Sequence, residues 1–369
     1  MPVEANDAFT LILEPVKHCN LSCLYCYSDG AGAGVMSRQT LHTALEKTAR
    51  YAEGHGFREI HILWHGGEPL LAGLGFFREA MKFLDGLASD LKFHHYLQTN
   101  GLLLDYDFCA FFHDHEFQIG ISLDGPQVLH DSMRTGADGQ GSHAAVLGKV
   151  RLLEQQGVSA GFNAVVTRRS LGQEKAIYRY FQGLGYGFRV NPMIPGRNPE
   201  ISAPYLLQPG EYGSFLCRLF DAWASAERQR VKVSPLDLYL EAILDGVPYE
   251  CQQQETCAGS HLGVKPSGDV VLCSRFETPL LGNIHGSEIQ ELMALPFCAD
   301  IRRRAETLSD CQKCMHRPIC HGGCPLNALA FGHDHMAKDP FCKDYQLIFA
   351  RIHRALADLQ SKSRACPEP

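Results

Sequence analysis

Long apolar runs are missing from this chain. No stretch of about 18 apolar residues occurs, so nothing in it is long enough to span a membrane. Positive charge is short as well: 34 Lys and Arg stand against 41 Asp and Glu. The resulting net charge of −7 argues against a general nucleic-acid surface. The opening Met1-Pro2-Val3-Glu4-Ala5-Asn6-Asp7 has no basic patch ahead of an apolar stretch, so no export signal is expected. Cysteine is not scarce. Fifteen of them would spell disulfides in a secreted protein; without an export signal they point to metal, and the expected location is the cytoplasm, where thiols stay reduced. With 45% apolar and 20% charged residues over 369 positions, the chain has the composition of a globular protein with a large core.

A fourth cysteine is missing beside the first three. Cys19, Cys23 and Cys26 lie on one short stretch, with gaps of three and two, after the apolar run 9–13. Three thiolates can hold three irons of a cubane [4Fe–4S] cluster and leave one iron open. A zinc knuckle and a redox-structural thiol cluster are the alternatives; zinc wants a further Cys or His at short spacing, and His18, adjacent to Cys19, cannot close a tetrahedron without strain.

Strand-like runs at 9–14, 59–64, 93–98, 117–123, 160–167 and 187–192 alternate with helical patterns at 37–53, 74–89, 105–114, 142–156, 174–183 and 210–228. Ser37 reads as the first helix's N-cap and Gly54 as its stop. Six strand–helix units in a row predict an α/β fold with a parallel sheet, a partial (β/α)6 barrel. The cysteine stretch, Gly66-Gly67-Glu68-Pro69, Thr99-Asn100-Gly101 and Ser122-Leu123-Asp124-Gly125-Pro126 each follow one of the first four strands. In parallel barrels that face carries the active site.

Each of these stretches has a bland reading too. Gly66-Gly67 lets backbone approach a ligand closely, or makes a tight turn ended by proline. Ser122 and Asp124 suit the hydroxyl groups of a ligand, or cap the next helix. Arg134 by itself reads as an exposed arginine. The glycines of 134–142 follow no strand and have no lysine for phosphate, so the stretch reads as an ordinary loop. The Pro- and Gly-rich 193–210 reads as a substrate-facing loop.

The last third carries a second array: Cys251, Cys257, Gly268 and Cys273, then Cys311, Cys314, Cys320, Cys324 and Cys342. Eight cysteines suffice for two complete [4Fe–4S] clusters, with zinc ribbons as the alternative. Lys265-Pro266-Ser267-Gly268-Asp269-Val270 predicts a hairpin that returns Cys273. Cys109 and Cys217 fall in helical patterns as small apolar residues, and Cys298 and Cys366 have no assigned role.

The C-x3-C-x2-C stretch, with Tyr25 before its last cysteine, resembles the signature of the radical SAM superfamily. The second array resembles the SPASM domain, the auxiliary-cluster extension of peptide- and protein-modifying members. The resemblance covers about residues 9 to 345. It implies a TIM-like partial barrel over 1–235, a cysteine-rich SPASM domain over 236–345, and a terminal helix and tail over 346–369. It implies S-adenosyl-L-methionine and three [4Fe–4S] clusters as cofactors. One cluster would bind the S-adenosylmethionine through Cys19, Cys23 and Cys26. Cys251, Cys257, Cys273 and Cys324 would hold auxiliary cluster I, and Cys311, Cys314, Cys320 and Cys342 auxiliary cluster II. Gly66, Gly67, Glu68, Asn100, Ser122, Asp124 and Arg134 would contact S-adenosylmethionine. A flavodoxin or ferredoxin would supply electrons.

The function implied is oxidation of a peptide or protein side chain after a 5′-deoxyadenosyl radical abstracts hydrogen. No nucleic-acid or membrane partner is expected. The wording of 64–71 and 122–126 resembles enzymes that crosslink ribosomally made peptides, and a crosslink is the leading expectation. Cys251 resembles the arrangement in anaerobic sulfatase-maturating enzymes, which make formylglycine and form the first alternative. Those enzymes carry an aspartate base after the cysteine matching Cys273, where this chain has Ser274 and Arg275. Ser274 is a poor base without an activating partner, and Glu277 is the other nearby candidate. Small-molecule dehydrogenation and a non-catalytic cluster-binding module complete the alternatives.

Overall fold

Residues 7–28, 30, 34–226, 229–255, 257–275 and 279–365 are described by the structure, a computed structural model. In chain order the first half reads β1 (Ala8–Val16), α1 (Arg38–Gly54), β2 (Glu59–Gly66), α2 (Leu74–Asp85), β3 (Lys92–Thr99), α3 (Tyr106–Asp114), β4 (Gln118–Ser122), α4 (Gln127–Asp131), α5 (His143–Gln155) and β5 (Ala160–Val166). Next come α6 (Glu174–Leu184), β6 (Phe188–Pro192), α7 (Pro199–Ser202), α8 (Glu211–Ala224), β7 (Val233–Ser234) and α9 (Leu236–Asp245). The last third holds β8 (His261–Val264), β9 (Asp269–Val271), β10 (Leu280–Asn283), α10 (Ile289–Met293), α11 (Pro296–Thr307), α12 (Arg317–Cys320), α13 (Pro325–Ala330) and α14 (Cys342–Ala365).

Packing groups these elements by interleaved segments. One unit takes 1–163, 195–202 and 256–302; the other takes 164–194, 203–255 and 303–369. In the first unit the strand order is β10-β9-β8-β1-β2-β3-β4-β5. From β8 to β5 neighbouring strands run parallel, while β8, β9 and β10 form an antiparallel meander. From Leu11 onward every residue of β1 is buried, as a parallel strand with neighbours on both sides requires. On β2, Ile60, Ile62 and Trp64 are buried on one face by their two-residue period. Trp64 meets Phe77 of α2 edge to face at 5.3 Å, and Phe77 meets Phe112 of α3 at 6.0 Å, so aromatic packing sets the helices on the sheet.

All six predicted strands and all six helices are present. Ser37 caps α1, its Oγ accepting from the Thr40 amide at 3.0 Å. The second helix is shorter than expected, ending at Asp85 with Gly86 as its cap rather than running to 89. The predicted hairpin is present between β8 and β9: Gly268 turns at φ +87° and the Lys265 amide donates to the Asp269 carbonyl at 2.9 Å. Cys273 lies just past the returning strand. Sequence pattern did not anticipate that β8 would add to β1 in parallel, because that pairing joins residues about 250 positions apart.

In the second unit β6 and β7 pair in parallel. There α8 packs against α6 and α14, and α14 also against α9. Gly213 lies against the Asp344 backbone, where a Cβ would come within 2.7 Å, and its amide donates to Asp344 Oδ1 at 2.7 Å. Among the described residues no helix is long and apolar enough to cross a membrane.

Candidate active site

The cysteine loop leaves β1 and is held from several sides. Gly67 donates its amide to the Val16 carbonyl at 2.9 Å, and Glu68 donates to the His18 carbonyl at 3.0 Å. A Cβ on Gly67 would fall 2.2 Å from the carbonyl oxygens of both Lys17 and His18. Gly66 turns at φ +114°, and a Cβ there would fall 2.6 Å from the Val16 carbonyl. The glycine pair is therefore required by backbone packed against the approach to Cys19.

The 134–142 stretch is not the ordinary loop expected. Leu21 bridges Gly136 and Thr135 bridges Gly141, while the amides of Ser22 and Leu24 donate to the carbonyls of Thr135 and Met133 at 2.8 and 2.9 Å. These glycines shape a brace for the cysteine loop; a Cβ on Gly141 would collide with the Asp131 carboxyl at 2.1 Å. Part of the 193–210 stretch acts similarly: the Arg197 amide donates to the Cys26 carbonyl at 2.8 Å.

Glu68 is fully buried and clamps two strand ends. Its Oε1 accepts from the Leu70 amide and from Thr99 Oγ1 at 2.7 Å, and its Oε2 accepts from the Asn100 amide at 2.8 Å. Burial nevertheless raises its carboxyl to about 7, against the three donors and Arg134. The Asn100 side chain carries the clamp onward, donating to Asn20 Oδ1 at 2.7 Å and lying 3.6 Å from Cys19 Sγ.

Arg134 is buried, so the exposed reading fails. Its Nε donates to Asp124 Oδ2 at 3.1 Å, and the Tyr25 hydroxyl donates to the same oxygen at 2.5 Å. The guanidinium also lies 5.3 Å from the centre of the Tyr25 ring. His130 orients this group. Its Nδ1 accepts from the Asp124 amide at 3.3 Å, which makes Nε2 the donor to Ser142 Oγ at 2.9 Å, and Ser142 donates to the Arg134 carbonyl at 3.1 Å. Burial holds His130 near 4, in the neutral form this pattern needs.

Ser122 Oγ accepts from Gln98 Nε2 at 3.0 Å, and Gln98 Oε1 accepts from Asn163. This amide ladder crosses three strands over Gly120, whose Cβ would strike Gln98 Oε1 at 2.6 Å. Sequence reading missed Gln98, Asn163 and His130, because their partners lie across strands or loops that no local motif marks.

Among the thiols of this loop, burial pushes Cys23 up to about 12, with Arg134 opposing, and raises Cys19. The Leu21 amide donates to Cys19 Sγ at 3.4 Å. Three soft donors on one loop, with no fourth cysteine nearby in sequence, fit a cluster with one open iron, and loading would release the thiol protons.

In the second unit Cys311, Cys314, Cys320 and Cys342 line one cavity with His316, Tyr345 and Phe349. Their convergence fits four-thiolate ligation. Two unanticipated residues shape the surrounding loops. Asp339 Oδ2 accepts from the Cys324 amide at 2.8 Å, from Asn327 at 2.9 Å and from the Tyr345 hydroxyl at 3.1 Å. Arg304 donates to the carbonyls of Gly322, Gly323 and Ala337. Of the cysteines expected in the other auxiliary set, Cys257 and Cys273 belong to the first unit and Cys251 and Cys324 to the second.

Ser274 is half-buried next to Gly263. Glu277 lies outside the described residues, as does Cys366. Cys109 and Cys298 are buried, and Cys217 is half-buried with its thiol 3.6 Å from the Leu347 carbonyl.

Comparison with known proteins places these features. Residues 13–168 match the Radical SAM superfamily, and residues 251–315 match the SPASM iron-sulfur cluster-binding domain. The cysteine-type anaerobic sulfatase-maturating enzyme of Clostridium perfringens is 29% identical, over 92% of this chain and 95% of its own length. The serine-type enzyme of Klebsiella aerogenes is 29% identical, over 96% and 87%. A solved anSMEcpe structure with bound AdoMet and Cp18Cys peptide superposes with a TM-score of 0.83 at 25% identity, covering 96% of this chain and 99% of that one. SuiB of Streptococcus suis, bound to the precursor peptide SuiA, shares the fold at a TM-score of 0.65 and 16% identity, over 91% and 76%. The cofactors of such domains are a [4Fe–4S] cluster, S-adenosylmethionine and auxiliary iron–sulfur clusters. With its parallel sheet, its three-cysteine loop and its second cysteine field, the chain is a radical SAM protein carrying a SPASM domain.

Proposed function

We propose that this enzyme removes two hydrogens from a cysteine or serine side chain of a peptide or protein, giving the aldehyde directly from serine and, from cysteine, a thioaldehyde that water converts to the aldehyde with release of sulfide, the conversion expected of sulfatase maturation. The observation that carries the reading is its likeness, across almost its whole length, to both cysteine-type and serine-type sulfatase-maturating enzymes. The crosslinking expectation, which rested on short stretches of wording, yields to it. The peptide bound in the anSMEcpe structure supports a peptide substrate.

Cys19, Cys23 and Cys26 would hold the S-adenosylmethionine-binding cluster. Cys311, Cys314, Cys320 and Cys342 would hold one auxiliary cluster, and Cys251, Cys257, Cys273 and Cys324 another. Bound there, the cluster and S-adenosylmethionine supply one-electron chemistry that ends in removal of a hydrogen atom from a substrate carbon. The chain's own residues position that chemistry. Glu68 and Asn100 fix the Cys19 side of the loop, and Tyr25 fixes the Cys26 side through Asp124. Gly66, Gly67, Ser122, Asp124 and Arg134 would face S-adenosylmethionine. Arg134 stays charged while buried because Asp124 pairs with it, and so presents a fixed cation for a carboxylate.

Ser274 and Arg275 are the observation that favours a second reading. Without the aspartate that the maturases carry there, proton removal must fall to another group, and a crosslink that avoids the aldehyde remains the alternative product. The test is to incubate anaerobically reconstituted enzyme with dithionite, S-adenosylmethionine and sulfatase-derived peptides holding Cys or Ser. A carbonyl that reacts with hydrazide at that residue supports aldehyde formation. Loss of two hydrogens without hydrazide reactivity overturns it in favour of a crosslink.

A further inference from the structure

A second cluster of ligating side chains, none of them a cysteine, lies at the amino ends of β2 and β3. Glu59 opens β2, and His61, two residues on, projects from the same face. His94 of β3 sits directly opposite His61 in the strand register. The His94 Nε2 lies 3.4 Å and the His61 Nε2 3.8 Å from the same Glu59 oxygen. All three donor atoms fall within 4.8 Å of one another. The His94 Nε2 is shielded from solvent and has no hydrogen-bond partner despite that approach. A buried ring nitrogen without a partner is costly unless something fills the space beside it.

We propose that Glu59, His61 and His94 bind one divalent zinc ion. Two imidazoles and a carboxylate are a donor set that zinc accepts, with water in the fourth position. Bonds of about 2.0–2.1 Å in a tetrahedron put donors about 3.3 Å apart, so side-chain rotation of roughly an ångström closes the set. The side chains are 33–42% exposed, which leaves an entry path. Glu59 and His61 precede Gly66 by five to seven residues of β2, roughly 16–23 Å at strand rise. The ion therefore takes no part in radical chemistry; it staples β2 to β3 at their amino ends. This inference does not depend on the substrate proposed above.

The test uses cluster-loaded full chain, with iron and sulfide counted first so that zinc cannot enter empty cysteine sites. Zinc is added in calorimetry and, separately, before dialysis and metal analysis. About one zinc per chain is expected, with a higher thermal midpoint. His61→Ala, His94→Ala and Glu59→Gln should each weaken zinc binding roughly tenfold or more, while iron content and 5′-deoxyadenosine formation stay at wild-type levels. Where an alanine variant fails to hold iron, His61→Gln and His94→Gln carry the comparison. Zinc uptake equal in wild type and variants, or no zinc retained by wild type, overturns the proposal.

Discussion

At the scale of single residues, the site depends on backbone pressed against backbone. Gly67 admits the carbonyls of Lys17 and His18 where a Cβ would stand 2.2 Å away. Neither neighbour is a flexible side-chain tip, so Gly67→Ala must move the strand leading to Cys19. A cost of about 3 kcal/mol is expected from such overpacking, together with loss of about one cluster's iron, read by metal analysis of the reconstituted variant. Glu68 makes a prediction of another kind. Its carboxyl is raised from the usual 4.5 to about 7 by burial. The folded state then holds a proton that the unfolded chain has lost, so this contribution to stability is full below pH 4.5 and is lost as pH rises through about 7. The loss is of the order of a few kcal/mol. Glu68→Gln removes that titration and also places an amide donor against three existing donors, costing about 1–3 kcal/mol. Anaerobic unfolding of both proteins between pH 4.5 and 8 should show a gap that is widest in acid and narrows upward; a constant gap would reject the assignment.

At the scale of elements, period and punctuation were legible and long-range bracing was not. The strands and helices of 9–228 could be read because each rests on a local pattern: alternating Ile60, Ile62 and Trp64, or the Ser37 cap. The motif ends Gly66-Gly67, Asn100 and Asp124 were likewise visible as strand ends. The brace from 134–142 to the cysteine loop was hidden, because its hydrogen bonds join carbonyls and amides that any residue supplies. Arg304 and Asp339 were hidden for a related reason: each satisfies backbone groups of distant loops, and no spacing rule points there. Gly213 is a helical glycine whose purpose shows only in the packing of α8 on α14. A Cβ there would meet the Asp344 backbone at 2.7 Å. Gly213→Ala should cost about 1–3 kcal/mol and shift the start of α14, which carries Cys342. The check is a lowered thermal midpoint together with weaker iron retention under chelator, compared with an alanine at the exposed helical Gly148.

At the scale of the whole molecule, fifteen cysteines divide into those that gather and those that do not. Cys311, Cys314, Cys320 and Cys342 meet around one cavity, and Cys19, Cys23 and Cys26 share one braced loop. Cys109 and Cys298 are instead buried individually, as small apolar residues would be. Iron counting separates these classes. A fully loaded chain with three four-iron clusters holds about twelve irons. Joint replacement of Cys19, Cys23 and Cys26 by alanine should leave about eight and abolish S-adenosylmethionine cleavage. Replacing Cys314 and Cys342 should remove one auxiliary four-iron share, again leaving about eight, while slow uncoupled cleavage of S-adenosylmethionine persists, since the cysteine loop and its braces are untouched. Cys109→Ala should keep all of the iron and lose only packing, about 1 kcal/mol for the small group removed. Equal iron in wild type and the Cys314/Cys342 variant would mean that this cavity holds no cluster, and the second cysteine field would then have to be assigned anew.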